Sequence, residues 1–140
     1  MNAAVLIVLI SILSVVAAIA FIGAVLWAVR RASRDRGAEV RAAHPDAELG
    51  PELGQYRGGT GDFPRARNTS WVVLTPTTLV VRPILGNAVE LPISEITGTR
   101  IQQHFNTHWN GRPVLVVETG RGEVGLTVGS TDRWRTALAR

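Results

Sequence analysis

Val114-Leu-Val-Val-Glu-Thr-Gly-Arg-Gly-Glu-Val-Gly-Leu-Thr-Val128 is the stretch whose reading decides the fold. Val114 to Val117 is an unbroken apolar run too short for a helix, which suits a strand buried on both faces. Gly120-Arg121-Gly122 supplies turn residues. Val124, Leu126 and Val128 then alternate with Gly125 and Thr127, so that alternate side chains fall on one face of a sheet. Two such segments joined by a glycine turn predict a β-hairpin.

The same grammar extends in both directions. Trp71 to Leu74 is a compact apolar run ending at Thr75-Pro76, where proline suits the second position of a turn. Leu79 to Val81 follows at once, predicting another hairpin. Gly86-Asn87 marks the next turn, and Val89, Leu91 and Ile93 alternate with Glu90, Pro92 and Ser94. Pro92 has no amide donor, so that strand belongs at an edge or carries a bulge. Ile96 to Gln103 reads as a more polar strand and Asn110-Gly111 as a turn, while Leu53 to Arg57 would supply the N-terminal edge. After Val128 the period changes. Thr131 is a suitable N-cap, Asp132 favours the first turn, and Trp134, Ala137 and Leu138 share one helical face. So short a helix is unstable alone and must dock on the sheet.

Seven antiparallel strands followed by one helix, carried by Trp71-Val-Val-Leu-Thr-Pro-Thr-Thr-Leu-Val-Val-Arg82, Val89-Glu-Leu-Pro-Ile-Ser-Glu-Ile96, Val114-Leu-Val-Val-Glu-Thr119 and the Asp132-Arg-Trp134 helix, resemble the bacterial pleckstrin-homology-like and GRAM-like domains over roughly residues 50–140. The resemblance implies an α+β, mainly β fold: a PH-like seven-stranded open barrel of two bent antiparallel sheets, capped by a C-terminal helix. Trp134 and Leu138 would then plug the barrel.

Ahead of this domain the chain is of another kind. From Ala3 to Val29 no residue is charged and Ser11 and Ser14 are the only polar interruptions. At about 1.5 Å per residue the run would reach about 40 Å, beyond the roughly 30 Å hydrocarbon core, and Trp27 falls where an indole favours the interface. These features predict an N-terminal transmembrane helix. A cleaved signal would need a basic leader and a shorter apolar core; Met1-Asn2 offers no basic side chain, although Ala18-Ile19-Ala20 matches the small-x-small pattern. Arg30, Arg31, Arg34 and Arg36 follow the run, and by the positive-inside bias the C-terminal domain is expected in the cytoplasm, at the cell (inner) membrane. Ala20, Ala24 and Ala28 recur every four residues and would allow a weak homodimer through close helix approach; without a clear glycine pair, alanine-rich composition on a lipid-facing helix is the favoured explanation. The organisation expected is an anchor over 1–31, a juxtamembrane helical extension and linker over 32–51 with His44 to Gly54 as a polar tether, and the PH-like domain over 52–140.

Composition narrows the chemistry. The chain has 140 residues, no cysteine and a net charge of +4, and all 15 basic residues are arginine. The absence of cysteine excludes disulfides and thiolate metal sites. His104 and His108 are four apart, but no third ligand is near in sequence, so no metal and no cofactor is expected. Gly58-Gly59-Thr60-Gly61 has no following lysine or helix to make a phosphate loop, and reads as a flexible connection. Asn68-Thr-Ser70 matches a glycosylation sequon, without meaning in a cytoplasmic domain. No nucleophile or acid–base pairing stands out, and an enzyme is not expected. With few aromatics and no basic helix, neither is nucleic-acid binding.

One cluster remains. Arg57, Arg65 and Arg67 bracket the first inter-strand connection, Gly58 to Thr69. In lipid-binding pleckstrin-homology domains the head-group site lies at this loop, so the resemblance implies a contact with anionic lipid; the loop lacks the usual lysine and includes Asp62. Two functions are therefore expected. The first is a membrane-tethered protein-interaction or scaffolding module that takes a partner by strand addition. The alternative is an anionic-lipid contact at the inner leaflet through the first-loop arginines.

Overall fold

The computed structural model describes residues 2–106 and 108–139, with backbone alone at 108–110. The chain divides into two compact units, Met1–Asp35 and Arg36–Arg140.

The first unit is helical. The α1 helix (Ala3–Ala43) begins in it, because the run holds neither proline nor charge until Arg30. This is one helix long and apolar enough to cross a bilayer, and none of its most apolar window is buried by the chain. The two serines do not interrupt it: Ser11 and Ser14 each donate to the carbonyl four residues back, Ile7 and Ile10, at 2.8 Å. Those hydroxyls need no water.

The second unit opens with the last turns of α1. Segment 32–43 carries no apolar stripe, yet Gly37 and Val40 are buried. Val40 packs with Val73 and Val80, with Ala47 and Trp71 at the margin. A Cβ on Gly37 would stand 2.5 Å from the Trp71 ring, so glycine is what lets the helix lie this close. Arg36 pairs with Glu39 at 2.8 Å and donates to the Ile84 carbonyl at 3.4 Å.

The helix ends ahead of Pro45, and the expected tether is shorter than its composition suggests. Glu48 N already donates to the Leu74 carbonyl at 2.7 Å. Strand β1 (Leu49–Gly59) follows, then β2 (Asn68–Leu74), β3 (Thr78–Pro83), β4 (Val89–Pro92), a 3-10 turn at Ile93–Glu95, β5 (Ile96–Phe105), β6 (His108–Thr119) and β7 (Gly122–Thr127). All neighbouring pairs are antiparallel, in the order β4-β3-β2-β1-β7-β6-β5. Two expectations are corrected here. The strands make one hydrogen-bonded sheet and not two, and β1 lies at its centre and not at an edge, because it pairs with β2 on one side and β7 on the other. Pro92 does lie on an edge strand, where its missing donor costs nothing.

The inner face of the sheet holds the main core, including Tyr56, Val72, Leu74, Leu79, Val81, Leu91, Leu115, Val117, Val124 and Leu126. Val114 and Val116 face the other way and are also fully buried, packed with Phe105, so β6 is covered on both faces. Asn110-Gly111 is not the turn between β5 and β6: both residues belong to β6, and the reversal falls at Asn106, which adopts φ 51°. Asparagine tolerates that left-handed geometry.

Helix α2 (Thr131–Leu138) closes the core with Trp134 and Leu138 buried. Its N-cap is Ser130 and not Thr131; the Ser130 hydroxyl accepts from Arg133 N at 3.4 Å. Glu52 fixes the start of α2 from β1, accepting from Gly129 N and, at 3.2 Å, from Trp134 Nε1.

Candidate functional site

Arg57 stands near the end of β1. Tyr56 points into the core, so alternation turns Arg57 to the outer face, where its Nε donates to Thr127 Oγ1 of β7 at 3.0 Å. Arg67 closes the β1–β2 connection one residue before β2 begins. Arg112 enters along β6, at the same parity as Val114 and Val116. Arg57 and Arg112 line a trough of about 570 Å³ on the outer face, with Leu53, Gln55, Thr69 and Thr127. Arg57 and Arg67 share the adjoining shallow groove with Gln55 and Asn68.

The electrostatics tie the three together. Burial, and then the positive charges of Arg67 and Arg112, hold the Arg57 guanidinium below its ordinary pKa. Ion pairs among the described residues fall elsewhere: Arg31 with Asp35, Arg36 with Glu39, Arg100 with Glu118 and Glu123, and Arg121 with Glu95. Among the described residues no carboxylate or imidazole lines the trough. Three neighbouring like charges, with no ion pair to them among the described residues, favour an anion that accepts several hydrogen bonds at once, and the Thr69 and Thr127 hydroxyls add neutral donors. Among the described residues no carboxylate or imidazole stands with them, and the groups can bind and orient an anion.

Of the residues singled out from sequence, Arg57 and Arg67 come together here. Arg65 is exposed on the connection and does not line the trough. Among the juxtamembrane arginines, Arg31 stacks over the Trp27 ring at 5.4 Å and pairs with Asp35 at 3.9 Å, while Arg36 is engaged with Glu39 and Ile84. Ala20, Ala24 and Ala28 lie exposed on α1. The glycine-rich segment is not the flexible connection expected. Thr60 N donates to the Glu123 carbonyl at 2.9 Å and Asp62 N to the Arg121 carbonyl at 3.0 Å, so its amides are already used by the β6–β7 hairpin. His104 lies on β5; the side chain of His108 is outside the described residues, and among the described residues no three His, Asp or Glu side chains gather as a metal site would require.

Arg112 is the residue that sequence reasoning missed. Its only signal is parity with Val114 and Val116 along β6. Meeting Arg57 depends on β6 pairing with β7 and β7 with β1, which no local pattern reveals.

No family model matches the sequence, and a search among curated proteins finds no relative. The fold has a solved counterpart. The crystal structure of the C-terminal domain of an unknown protein from Leishmania infantum matches with a TM-score of 0.50 and 18% identity, over 72% of this chain and 92% of that one. At that identity the likeness shows the fold alone.

Proposed function

We propose that this chain is a non-catalytic, single-pass membrane protein whose PH-like domain, on the cytoplasmic side, binds the phosphate group of anionic phospholipids through Arg57, Arg67 and Arg112. One observation carries the reading: Arg57 and Arg112 line the outer-face trough and Arg67 lines the groove beside it, near enough that the charges of both lower the Arg57 pKa, and among the described residues no carboxylate lines either hollow. The PH-like assignment is supported by the four-strand meander β1–β4, the three strands β5–β7 and the closing helix. Spanning is supported by the exposed apolar surface of α1, and orientation by the arginines that follow it.

Each arginine beside an anionic surface contributes about 1 kcal/mol, or about fivefold in affinity. The test is titration of the full chain in neutral micelles with short-chain phosphatidylglycerol and phosphatidylcholine. Phosphatidylglycerol should bind more tightly, with an affinity that falls as salt rises and drops about fivefold on Arg112→Ala. Equal affinity for both lipids, or no effect of Arg112→Glu, would sink the lipid reading. A reporter after Arg140 that is active only outside the cytoplasm would overturn the orientation.

The protein-interaction reading has one observation of its own. β5 is an edge strand of 10 residues whose outer backbone groups face no neighbouring strand among the described residues. An extended peptide could add there, and hydrogen-exchange protection of β5 on addition of a cross-linked partner would distinguish it from the trough.

A further inference from the structure

At one end of the β2–β3 pair the main core stops short. The inward row of β2 runs Leu74, Val72, Ser70, and that of β3 runs Leu79, Val81, Pro83, paired in that order across the two strands. At the last pair the apolar filling gives way to a hydroxyl and a small ring. What remains is a recess of about 290 Å³, with Tyr56 and Val81 of the main core in its wall and residues of the β1–β2 and β3–β4 connections around it. Among the described residues no charged side chain lines it. That sets it apart from the arginine-lined trough on the outer face of the same sheet.

Neutral polar groups border this apolar space. Ser70 is fully buried, and its hydroxyl donates to Asn68 Oδ1. The Asn68 nitrogen is left as a donor, and the exposed Asn87 brings a second carboxamide from the β3–β4 connection. Among the described residues neither nitrogen has an acceptor. The Tyr56 hydroxyl already donates to the Pro64 carbonyl at 2.7 Å, which fixes its ring in the wall. An apolar hollow with a few convergent polar groups is the usual form of a small-molecule site.

Size and chemistry narrow the class. At about 30 Å³ for each water-sized unit, the recess takes on the order of ten non-hydrogen atoms. Pro64, Pro83 and Tyr56 contribute three rings, which suits a flat apolar body. A charged head group would lose water there without gaining a counter-charge, whereas a carbonyl oxygen can accept from the carboxamides.

We infer that this recess binds an uncharged small aromatic compound carrying a carbonyl or carboxamide, with its ring against Tyr56, Pro64 and Pro83 and its oxygen toward the amides of Asn68 and Asn87. The site does not depend on the lipid reading of the trough.

Tyr56 is the only tyrosine, so incorporation of 3-fluorotyrosine puts a single fluorine resonance in the wall of the recess. The labelled full chain, in neutral micelles at neutral pH, is titrated with benzamide and with benzoate. Benzamide should move the resonance along a saturating curve, and benzoate should bind about tenfold more weakly or worse. Asn87→Ala, at an exposed position, should weaken benzamide about two- to twelvefold, the loss of one ordinary hydrogen bond. Ala66→Trp, also at an exposed position, should cover the recess and abolish the saturating shift while amide exchange at Leu115 stays unchanged. A shift that grows without saturating, equal binding of benzoate, unchanged affinity in Asn87→Ala, or a saturating shift that persists in Ala66→Trp would each overturn the inference.

Discussion

Trp134→Ala should cost the second unit much of its stability, and the size of the loss follows from what the indole touches. Trp134 is fully buried in the main core, and its Nε1 donates to Glu52 Oε2 at 3.2 Å. Truncating a buried tryptophan removes its transfer energy and leaves a cavity, together about 3–5 kcal/mol. Against a whole-domain stability of about 5–15 kcal/mol that is a large fraction. The assay is amide hydrogen exchange at Leu115 and Val117, fully buried residues of β6 that open only when the sheet unfolds. Their exchange rates should rise by about two to three and a half orders of magnitude, the equivalent of 3–5 kcal/mol. Trp134→Phe keeps most of the apolar surface but removes the donor to Glu52. Because Glu52 is half-buried, that loss belongs near the lower end of the range for a hydrogen bond to a charged group, about 1.5 kcal/mol. Combining it with Glu52→Gln should give less than the sum of the two single losses, since both weaken the same bond. A rise of less than about tenfold at Leu115 in Trp134→Ala, with exchange faster only within α2, would refute the reasoning. The helix would then be a peripheral flap and not part of the core.

Three further outcomes are expected. Gly37→Leu, with its Cβ forced to 2.5 Å from the Trp71 ring, should lift the end of α1 and expose Val40, a loss of at most about 1.5–3 kcal/mol; faster amide exchange over 36–43 with an unchanged β6 is the signature, and unchanged exchange at Val40 would contradict it. Tyr56, the only tyrosine, has its phenol pushed up from 10.0 to about 12 by burial. The unfolded chain therefore loses this proton first as pH rises, so stability falls from about pH 10 upward, through about 12; ultraviolet titration of the folded protein should show tyrosinate near the upper value, and a step near 10 would refute the burial argument. Glu123 is held below the usual carboxylate range by its hydrogen bond from Arg100, against the opposing effect of burial. That contribution is present above the unfolded carboxylate pKa and is lost as pH falls through the depressed folded value. Arg100→Met should move the Glu123 titration upward, followed by carboxyl carbon resonances, and an unmoved titration would show that the pair is not formed.

Much of the fold was legible because its cues are local. Alternation at Val124, Leu126 and Val128, the unbroken run at Val114 to Val117, and Pro92 on an outer strand all follow from periods of two and from one missing amide. What was not legible depends on distant partners. The central place of β1 rests on Tyr56 meeting Leu126, far along the chain, and the docking of Gly37 rests on Trp71. Asn110-Gly111 has turn composition yet lies within β6, where the register shifts between Gln102 and His104 and Gly111 takes φ 67°, while the reversal itself falls at Asn106. The candidate site divides in the same way. Arg57 and Arg67 were visible because one connection lies between them, whereas Arg112 reaches them only through two strand pairings.

The central position of β1 also sets an order of assembly. Strands β1 to β4 form a meander of neighbours, so they can pair as soon as residue 92 is available. The other edge of β1 must wait for β7, which ends at Thr127. Until then the strand at the middle of the finished sheet is a temporary outer strand, with unpaired amides and carbonyls along Gln55 to Gly59. Closing it is the long-range step that contact order makes slow. A nascent chain is therefore most open to mispairing with a second copy in the interval between the synthesis of Pro92 and that of Thr127, and a substitution that weakens β7 lengthens that interval without touching the half of the sheet already built.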